Sequence, residues 1–377
     1  MLDKLIRLRQ ELHQHPELSQ KETLTAQRIY SFVSAHQPSE IITKIGGEGL
    51  AVCYNYSVVG PTVAIRCELD ALPIEEENQL TYRSVVKGVS HKCGHDGHMA
   101  IVAGLSPWLR EQNFNKGKVV LLFQPAEEIG KGAYDMVQDE NLASLGIDYM
   151  FALHNIPGEK MHSIITMDER FSAEVISCSI KLEGQESHAA EPEKGVSPAA
   201  ALSMLITALS ELNVPQTENN NYAVLTPVYM HMGEQTYGIS PALGEIHYTI
   251  RTWSAETMAE LRSRIQQQVE IIGKEERLRF KLEWFEHFAA AQNNSFCNKL
   301  VKQAARANDF DVIEKPHPFK FGEDFGWFSK AYKTAMFGLG AGRDTPALHS
   351  RTYDFPDELI ETGMKMFEKI ITRLLED

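Results

Sequence analysis

The segment His91-Lys92-Cys93-Gly94-His95-Asp96-Gly97-His98 packs a thiol, three imidazoles and a carboxylate into eight positions. Thiolate sulfur and neutral imidazole nitrogen are the donors that zinc and its neighbours favour. Two glycines let the backbone turn tightly around whatever these side chains hold. The segment runs into an apolar helical stretch, Met99 to Leu109, so the donors sit just before a helix. The chemistry this implies is metal binding, with the remaining ligands expected at strand ends elsewhere.

Four apolar runs end in residues of the right kind. Thr62-Val63-Ala64-Ile65-Arg66-Cys67 leads into Glu68-Leu69-Asp70-Ala71-Leu72-Pro73. Lys118 to Phe123 leads into Gln124-Pro125-Ala126-Glu127-Glu128, and Asp148 to Leu153 leads into His154-Asn155. Thr334 to Leu339 leads through Gly340-Ala341-Gly342 towards His349. Ligands of open α/β sheets gather beyond the carboxyl ends of strands. Adjacent carboxylates suit a division of labour, one binding metal while the other stays free as general base and acid. Each piece alone has a plainer reading. Glu127-Glu128 could be a solvated helix start, His154 a hydrogen-bonded strand-end histidine, Asp70 a turn residue and Cys93 a small buried hydrophobe. Their coincidence at strand ends favours metal.

Other candidates are weaker. His13-Gln14-His15-Pro16-Glu17 looks metal-like, but it closes the N-terminal helix and reads as structural. His98 lies inside the helix after the donor segment, where packing and ligation are equally open. Gly338-Leu339-Gly340-Ala341-Gly342 lacks the following helix and acidic partner of a dinucleotide loop. Gly130-Lys131-Gly132 lacks the rest of a phosphate loop.

The elements that must position these residues come in two styles. Continuous apolar strands alternating with helices, in both the early and the late parts of the chain, predict an α/β domain. Its sheet would be mixed, mostly parallel and covered by helices. The middle reads strand (Val175 to Leu182), helix (Pro198 to Leu212), strand (Ala223 to Met230), strand (Glu245 to Trp253), helix, strand (Leu278 to Trp284). In the second of these helices Met258, Leu261, Ile265, Val269 and Ile272 form one stripe, with Ser254 as N-cap. This βαββαβ order is the ferredoxin-like α+β pattern. It places an inserted domain at residues 173–286, leaving 1–172 and 287–377 as a discontinuous main domain.

Composition excludes some partners. With 37 basic and 51 acidic residues the 377-residue chain carries a net charge of -14, which argues against nucleic acid and anionic membrane surfaces. No apolar run approaches the ~20 residues needed to span a bilayer. The five cysteines, Cys53, Cys67, Cys93, Cys178 and Cys297, are odd in number and without framework spacing, which reads as a reducing compartment. The first residues form an amphipathic helix without the features of a signal peptide, so a cytoplasmic protein with a small-molecule substrate is expected.

These residues resemble a known family. Leu12-His13-Gln14-His15-Pro16-Glu17-Leu18-Ser19, Asp70-Ala71-Leu72-Pro73, Cys93-Gly94-His95-Asp96-Gly97-His98, Gln124-Pro125-Ala126-Glu127-Glu128 and Leu153-His154-Asn155 match in order. So do Ser187-His188-Ala189-Ala190, Gly322-Glu323-Asp324-Phe325 and Leu348-His349-Ser350. Together they are similar to the amidohydrolase branch of the aminoacylase and carboxypeptidase G metallopeptidase family. That branch holds hippurate hydrolases, indole-acetyl-amino-acid hydrolases and N-acetyl-diaminopimelate deacetylases. The resemblance implies a catalytic α/β domain with two divalent metal ions per subunit and an inserted lid that dimerises. Cys93, His95, Glu128, His154 and His349 would be the ligands, Cys93 bridging the metals, and Glu127 the general base. Asp70 would orient a ligand from behind. His188 on the lid would stabilise the oxyanion, across a homodimer interface, and Arg251 would pair with a substrate carboxylate. Thiolate ligation points to zinc, with manganese, cobalt or nickel as alternatives.

Three departures bear on specificity. Glu68 stands where the branch commonly has Asp. The lid loop reads Gly233-Glu234-Gln235-Thr236-Tyr237-Gly238-Ile239-Ser240-Pro241, with Gly238 at the position of a substrate-touching Asn. In the lid strand Glu245-Ile246-His247-Tyr248-Thr249-Ile250-Arg251, only Arg251 carries over. By themselves His188 could be a turn histidine and Arg251 a surface strand residue. The expected activity is hydrolysis of N-acyl amino acids, for example N-acetyl ones. A dipeptidase or carboxypeptidase on the same scaffold would need an acidic anchor for a free amino terminus, and the sequence reveals none. A catalytically silent metal-binding protein would have no use for Glu127 beside Glu128.

Overall fold

The apolar runs around Ile65, Leu121, Phe151 and Phe337 become the centre of an eight-stranded sheet. In the computed structural model, which describes residues 1–376, they form the strands Thr62–Glu68, Lys118–Gln124, Tyr149–Ile156 and Lys333–Gly340. They lie parallel, with Thr62–Glu68 between Lys118–Gln124 and Tyr149–Ile156, and Lys333–Gly340 beyond the latter. Both alternating sets of side chains are buried along nearly their whole length. That is the condition of a sheet covered on its two faces. Antiparallel strands Glu40–Ile45 and Gly49–Asn55 extend one side, and short strands Ile164–Thr166 and Val312–Glu314 the other. The sheet is therefore mixed with a parallel centre.

The helix His95–Glu111 begins at the donor segment and is buried almost all round. Its Met99, Ile101, Val102 and Leu105 share one core with Leu5, Leu8 and Leu12 of the helix Leu2–Gln14 and with Met366, Phe367 and Ile370 of the helix Leu359–Glu376. This packing anchors the helix whose first turn carries the donors. Among the described residues, no helix is long and apolar enough to cross a membrane.

The chain divides into two units. The first holds Met1–Phe171, Ala291–Pro318 and the chain from Glu323 onward; the second holds Ser172–Ala290 and Phe319–Gly322. In the second, the strands Glu174–Glu183, Ala223–Met232, Leu243–Thr252 and Arg279–Phe288 form an antiparallel sheet. Its spatial order is Arg279–Phe288, Glu174–Glu183, Leu243–Thr252, Ala223–Met232. The helices Ala199–Ser210 and Ala255–Glu275 pack Leu202, Leu205, Leu261 and Ile265 against Ile176, Ile180 and Ile246 of the sheet. Ser254 caps the longer helix by accepting the Thr257 N–H. The sequence places the insertion at 173–286, whereas the unit also takes in the separate Phe319–Gly322 segment. The cause is local pairing: the Ala173 N–H donates to Phe319 O at 3.0 Å, and Phe319 stacks on Phe321. Neither contact leaves a periodic signature.

Candidate metal centre

All eight residues from His91 to His98 are buried. Gly94 stands just ahead of the helix with φ +96°, and a Cβ there would lie 2.4 Å from Asn155 Oδ1. Glycine is therefore required twice over, for its conformation and for the close approach. The turn it makes points Cys93 and His95 to the same place. Asp70 O accepts from His95 Nδ1–H at 2.9 Å, which leaves Nε2 as the donor atom of a neutral ring. In the same way Asn155 O accepts from His154 Nδ1–H at 2.9 Å, and His154 Nε2 lies 3.5 Å from Cys93 Sγ.

The loop after Gln124 brings the two glutamates. His95 Nε2 is 3.8 Å from Glu127 Oε2 and 3.9 Å from Glu128 Oε1. Glu128 Oε2 is 3.9 Å from His349 Nε2, a side chain 54% exposed. Among the described residues, five groups have ligand atoms within 4.8 Å of one another: Cys93, His95 and His154; Cys93, Glu128 and His349; His95, Glu127 and Glu128; Glu68, His95 and His98; Glu127, Glu323 and Asp324. Cys93 is common to the first two. Asp70 lies behind this set. Its Oδ2 accepts from Ser19 Oγ at 2.7 Å and from the Glu128 N–H at 2.9 Å, while Oδ1 is 3.7 Å from His95 Nδ1. Two non-glycine residues here have left-handed backbones, Ala126 at φ +53° and His349 at φ +64°. Strain of this kind persists where surrounding structure enforces it. At Ala126 that structure includes Glu22, whose Oε1 accepts the Ala126 N–H at 2.8 Å.

The donor set fits a cation. His95 Nε2, Glu128 Oε1 and Asp70 Oδ1 are buried without a hydrogen-bond partner. Burial, with the charges of Glu323, Glu128 and Asp324 added, pushes Glu127 well above the usual carboxylate range. Burial and the Asp70 charge push Glu128 up to about 7 against the pull of His95. Burial and the same glutamates raise the Cys93 thiol, and burial lowers His154 to about 3. Burial disfavours the charged ring of His95, yet its bond to Asp70 and the charges of Glu68 and Glu128 raise it to about 10. One such cation among several carboxylates, beside the Cys93 thiol and the His154 ring, leaves negative charge that a divalent ion would balance.

Thus Asp70, Cys93, His95, Glu127, Glu128, His154 and His349 come together in the first unit. His188 and Arg251 belong to the second. His188 pairs with Ile239 on a short ladder, is exposed, and accepts the Ala190 N–H on Nδ1 at 3.0 Å. In the neutral ring Nε2 therefore carries the proton. Arg251 is half-buried and donates to Lys320 O at 2.8 Å. The Gly238 carbonyl accepts the Ala189 N–H at 2.9 Å, and a Cβ on Gly238 would meet nothing within 4 Å.

Sequence reasoning missed the layer behind the donors. Arg66, fully buried, donates to Gln124, Glu68, Glu323 and Asp324. Glu68, the longer arm noted as a departure, also meets His98 Nδ1 at 2.7 Å, and His98 Nε2 is 2.5 Å from Asn155 Oδ1. His98 is thus held by two polar residues behind the centre. A usable signal existed: a charged residue in an otherwise apolar buried strand must find partners.

Fold and donor set together define a metal-dependent hydrolase. Residues 64–373 match the profile of Peptidase family M20/M25/M40, and the chain belongs to that family. It is 34% identical over 351 residues to the N-acetyl-L-cysteine deacetylase of Bacillus subtilis, covering 90% of this chain and 81% of that one. It is 28% identical over 374 residues to the hippurate hydrolase of Campylobacter jejuni, covering 98% and 96%. A solved dinuclear metal-binding peptidase of the M20 family from Bacillus subtilis superposes with a TM-score of 0.84 at 25% identity, covering 100% of this chain and 98% of that one. The family resemblance read from the motifs is borne out, and the protein is a metal-dependent hydrolase of linear amides.

Proposed function

We propose that the protein removes the acyl group from N-acyl amino acids, N-acetyl ones among them. The observation that carries this reading is the buried Glu127, within 3.8 Å of His95 Nε2 and adjacent to Glu128. Ligation alone has no need of a second carboxylate there. Relatives named for cleaving N-acetylcysteine and hippurate support the substrate class.

In this reading Cys93, His95, Glu128, His154 and His349 would hold two divalent ions, with zinc as the working metal. Such ions polarise a carbonyl and lower the pKa of water towards ~7. Glu127 takes the proton of the attacking water and gives it to the departing amine nitrogen. Asp70 fixes His95, and His188 donates Nε2–H to the oxyanion. Arg251 binds the substrate carboxylate, which the net charge of the chain would otherwise repel. Residues 1–172 and 287–377 form the catalytic domain, and 173–286 form a ferredoxin-like lid that joins two copies into a homodimer. The outer strand Ala223–Met232, with exposed Val228, Tyr229, Met230 and Met232, supports that last role. Five unpaired cysteines support a cytoplasmic setting.

The test is amine release from N-acyl amino acids and dipeptides by chelated enzyme, with and without added zinc, manganese or cobalt. Metal-dependent cleavage of N-acyl amino acids in preference to dipeptides is expected. Cleavage of dipeptides alone would replace this reading with a peptidase.

A further inference from the structure

The strand Thr62–Glu68 is apolar at its centre except for Arg66, which is 1% exposed. A guanidinium so deeply buried needs acceptors on every side. Arg66 Nε donates to Gln124 Oε1 at 2.7 Å, Nη1 to Glu68, and Nη2 to Glu323 Oε1 at 3.0 Å and Asp324 Oδ1 at 2.9 Å. Asp324 is the most tightly held of these. Its carboxylate also accepts Gln124 Nε2–H on both oxygens, at 2.7 and 2.8 Å, and the Ala133 N–H at 2.9 Å. Three separate elements thus pin one side chain.

The consequence appears on the backbone. The Asp324 N–H lies 3.4 Å from Glu127 Oε1 and is its donor. The other carboxylates near Glu127 can only repel it. Glu323 and Asp324 have oxygens within 4.8 Å of it, and Glu128 is its neighbour. A carboxylate among like charges turns away unless something holds it.

We propose that Asp324 is a positioning residue for Glu127. Arg66, Gln124 and the Ala133 N–H clamp the Asp324 carboxylate, so that the Asp324 backbone N–H holds the Glu127 carboxylate in its reactive orientation. This rests on the reading of Glu127 as general base. Asp324 is not among the residues assigned to the ions in this reading, and its role runs through Glu127. Its loss lowers kcat and leaves KM and metal content alone, because misplacing a reacting group by about 1 Å costs on the order of 100-fold.

The experiment compares Asp324→Asn, Glu127→Gln and the double variant, as metal-loaded enzymes on the best substrate of the amide panel. Asp324→Asn keeps the shape but sets an amide N–H against the donors of Gln124 and Ala133. It is expected to lower kcat ~30–100-fold with KM within about twofold and the ions retained. Glu127→Gln is expected to lower kcat ~10³-fold, and the double variant no further. A residue that merely supports the fold would lower the double variant by its own factor again. Should Asp324→Asn not fold, Gln124→Met removes the Gln124 bonds at similar side-chain length and gives the same non-additive pattern at ~5–20-fold. Additive losses, or kcat within twofold of wild type in the single variant, overturn the proposal. Near-normal turnover by Glu127→Gln overturns instead the general-base reading on which it rests.

Discussion

Two buried polar clusters meet at the start of the helix His95–Glu111, and they are built on opposite principles. His95 belongs to the donor set with Asp70, Cys93, Glu127, Glu128 and His154. The next residue, Asp96, belongs to a cluster with Arg9, His13, Glu76, Lys92, Asp354 and Asp357. Unpartnered atoms occur in both, Arg9 Nη2 and Asp96 Oδ1 as well as His95 Nε2 and Glu128 Oε1, so they do not separate the two. Charge does. In the second cluster every carboxylate faces a cation of the protein itself. Burial acts against the charge of Glu76, yet hydrogen bonds from His13 and Lys92 pull it down to about 2. Glu128, the same residue type, is pushed up to about 7. Burial likewise lowers His154 to about 3, while bonds to Asp96 and Glu76 overcome burial and raise His13 to about 9. Against burial, His95 is also raised, to about 10, by Asp70, Glu68 and Glu128, so the difference lies in number: ligand-type residues make an ion site where acids outnumber the protein's own cations. His13 has the right chemistry for a ligand and is already spent on Asp96 and Glu76.

Chelation should separate the clusters most sharply. Removing the ions is expected to abolish turnover and to lower stability by about 3 kcal/mol relative to protein in ~100-fold excess of metal over Kd. The chelated protein should also lose stability as pH rises from about 4.5 to about 7. Glu128 then binds its proton more tightly folded than unfolded, so raising the pH favours the unfolded chain. Denaturation at pH 5 and pH 7 with and without metal measures this; identical pH slopes in the two forms would break the comparison.

Arg9→Met tests the other cluster. It leaves Asp96, Asp354 and Asp357 without their shared cation and should cost about 3–5 kcal/mol, with the ions still bound. Loss of the ions as well would mean the two clusters are one. His13 supplies a pH signature. Its folded pKa is raised to about 9 from 6.5, so its contribution is complete below about 6.5 and disappears as pH rises through about 9. Up to about 3 kcal/mol should be lost across that window in the wild type, and His13→Gln should flatten the curve. The smallest effects are the most discriminating in sign. Glu76→Gln should destabilise by about 1–3 kcal/mol, whereas Glu128→Gln should stabilise the chelated protein by a similar amount. Two changes of the same sign would remove the distinction.

The donors were legible because the strands that deliver them are continuous apolar runs and because Cys93 and His95 lie in one dense segment. What lay behind them was not. Arg66 and Asp324 are 258 residues apart, and no local pattern joins them. The stretch Gly322-Glu323-Asp324-Phe325 could be matched as a motif without its role being visible. The apolar run ends at Leu153, yet His154 and Asn155 both lie inside the strand Tyr149–Ile156. The polar contacts of Asn155 with His98 and Tyr353 let the strand continue past its apolar run. The pairing of Tyr149–Ile156 with Lys333–Gly340 was equally hidden, because apolar strands of this kind look alike to one another until the helices between them are packed.

The most direct measurement is the metal content and turnover of Glu127→Gln on an N-acetyl amino acid. Two ions per chain with kcat lower by ~10³-fold is the expected result, since a base set apart from the ligands can be lost without the ions. Turnover near the wild-type rate, or loss of the ions together with activity, would contradict the division of labour between Glu127 and Glu128.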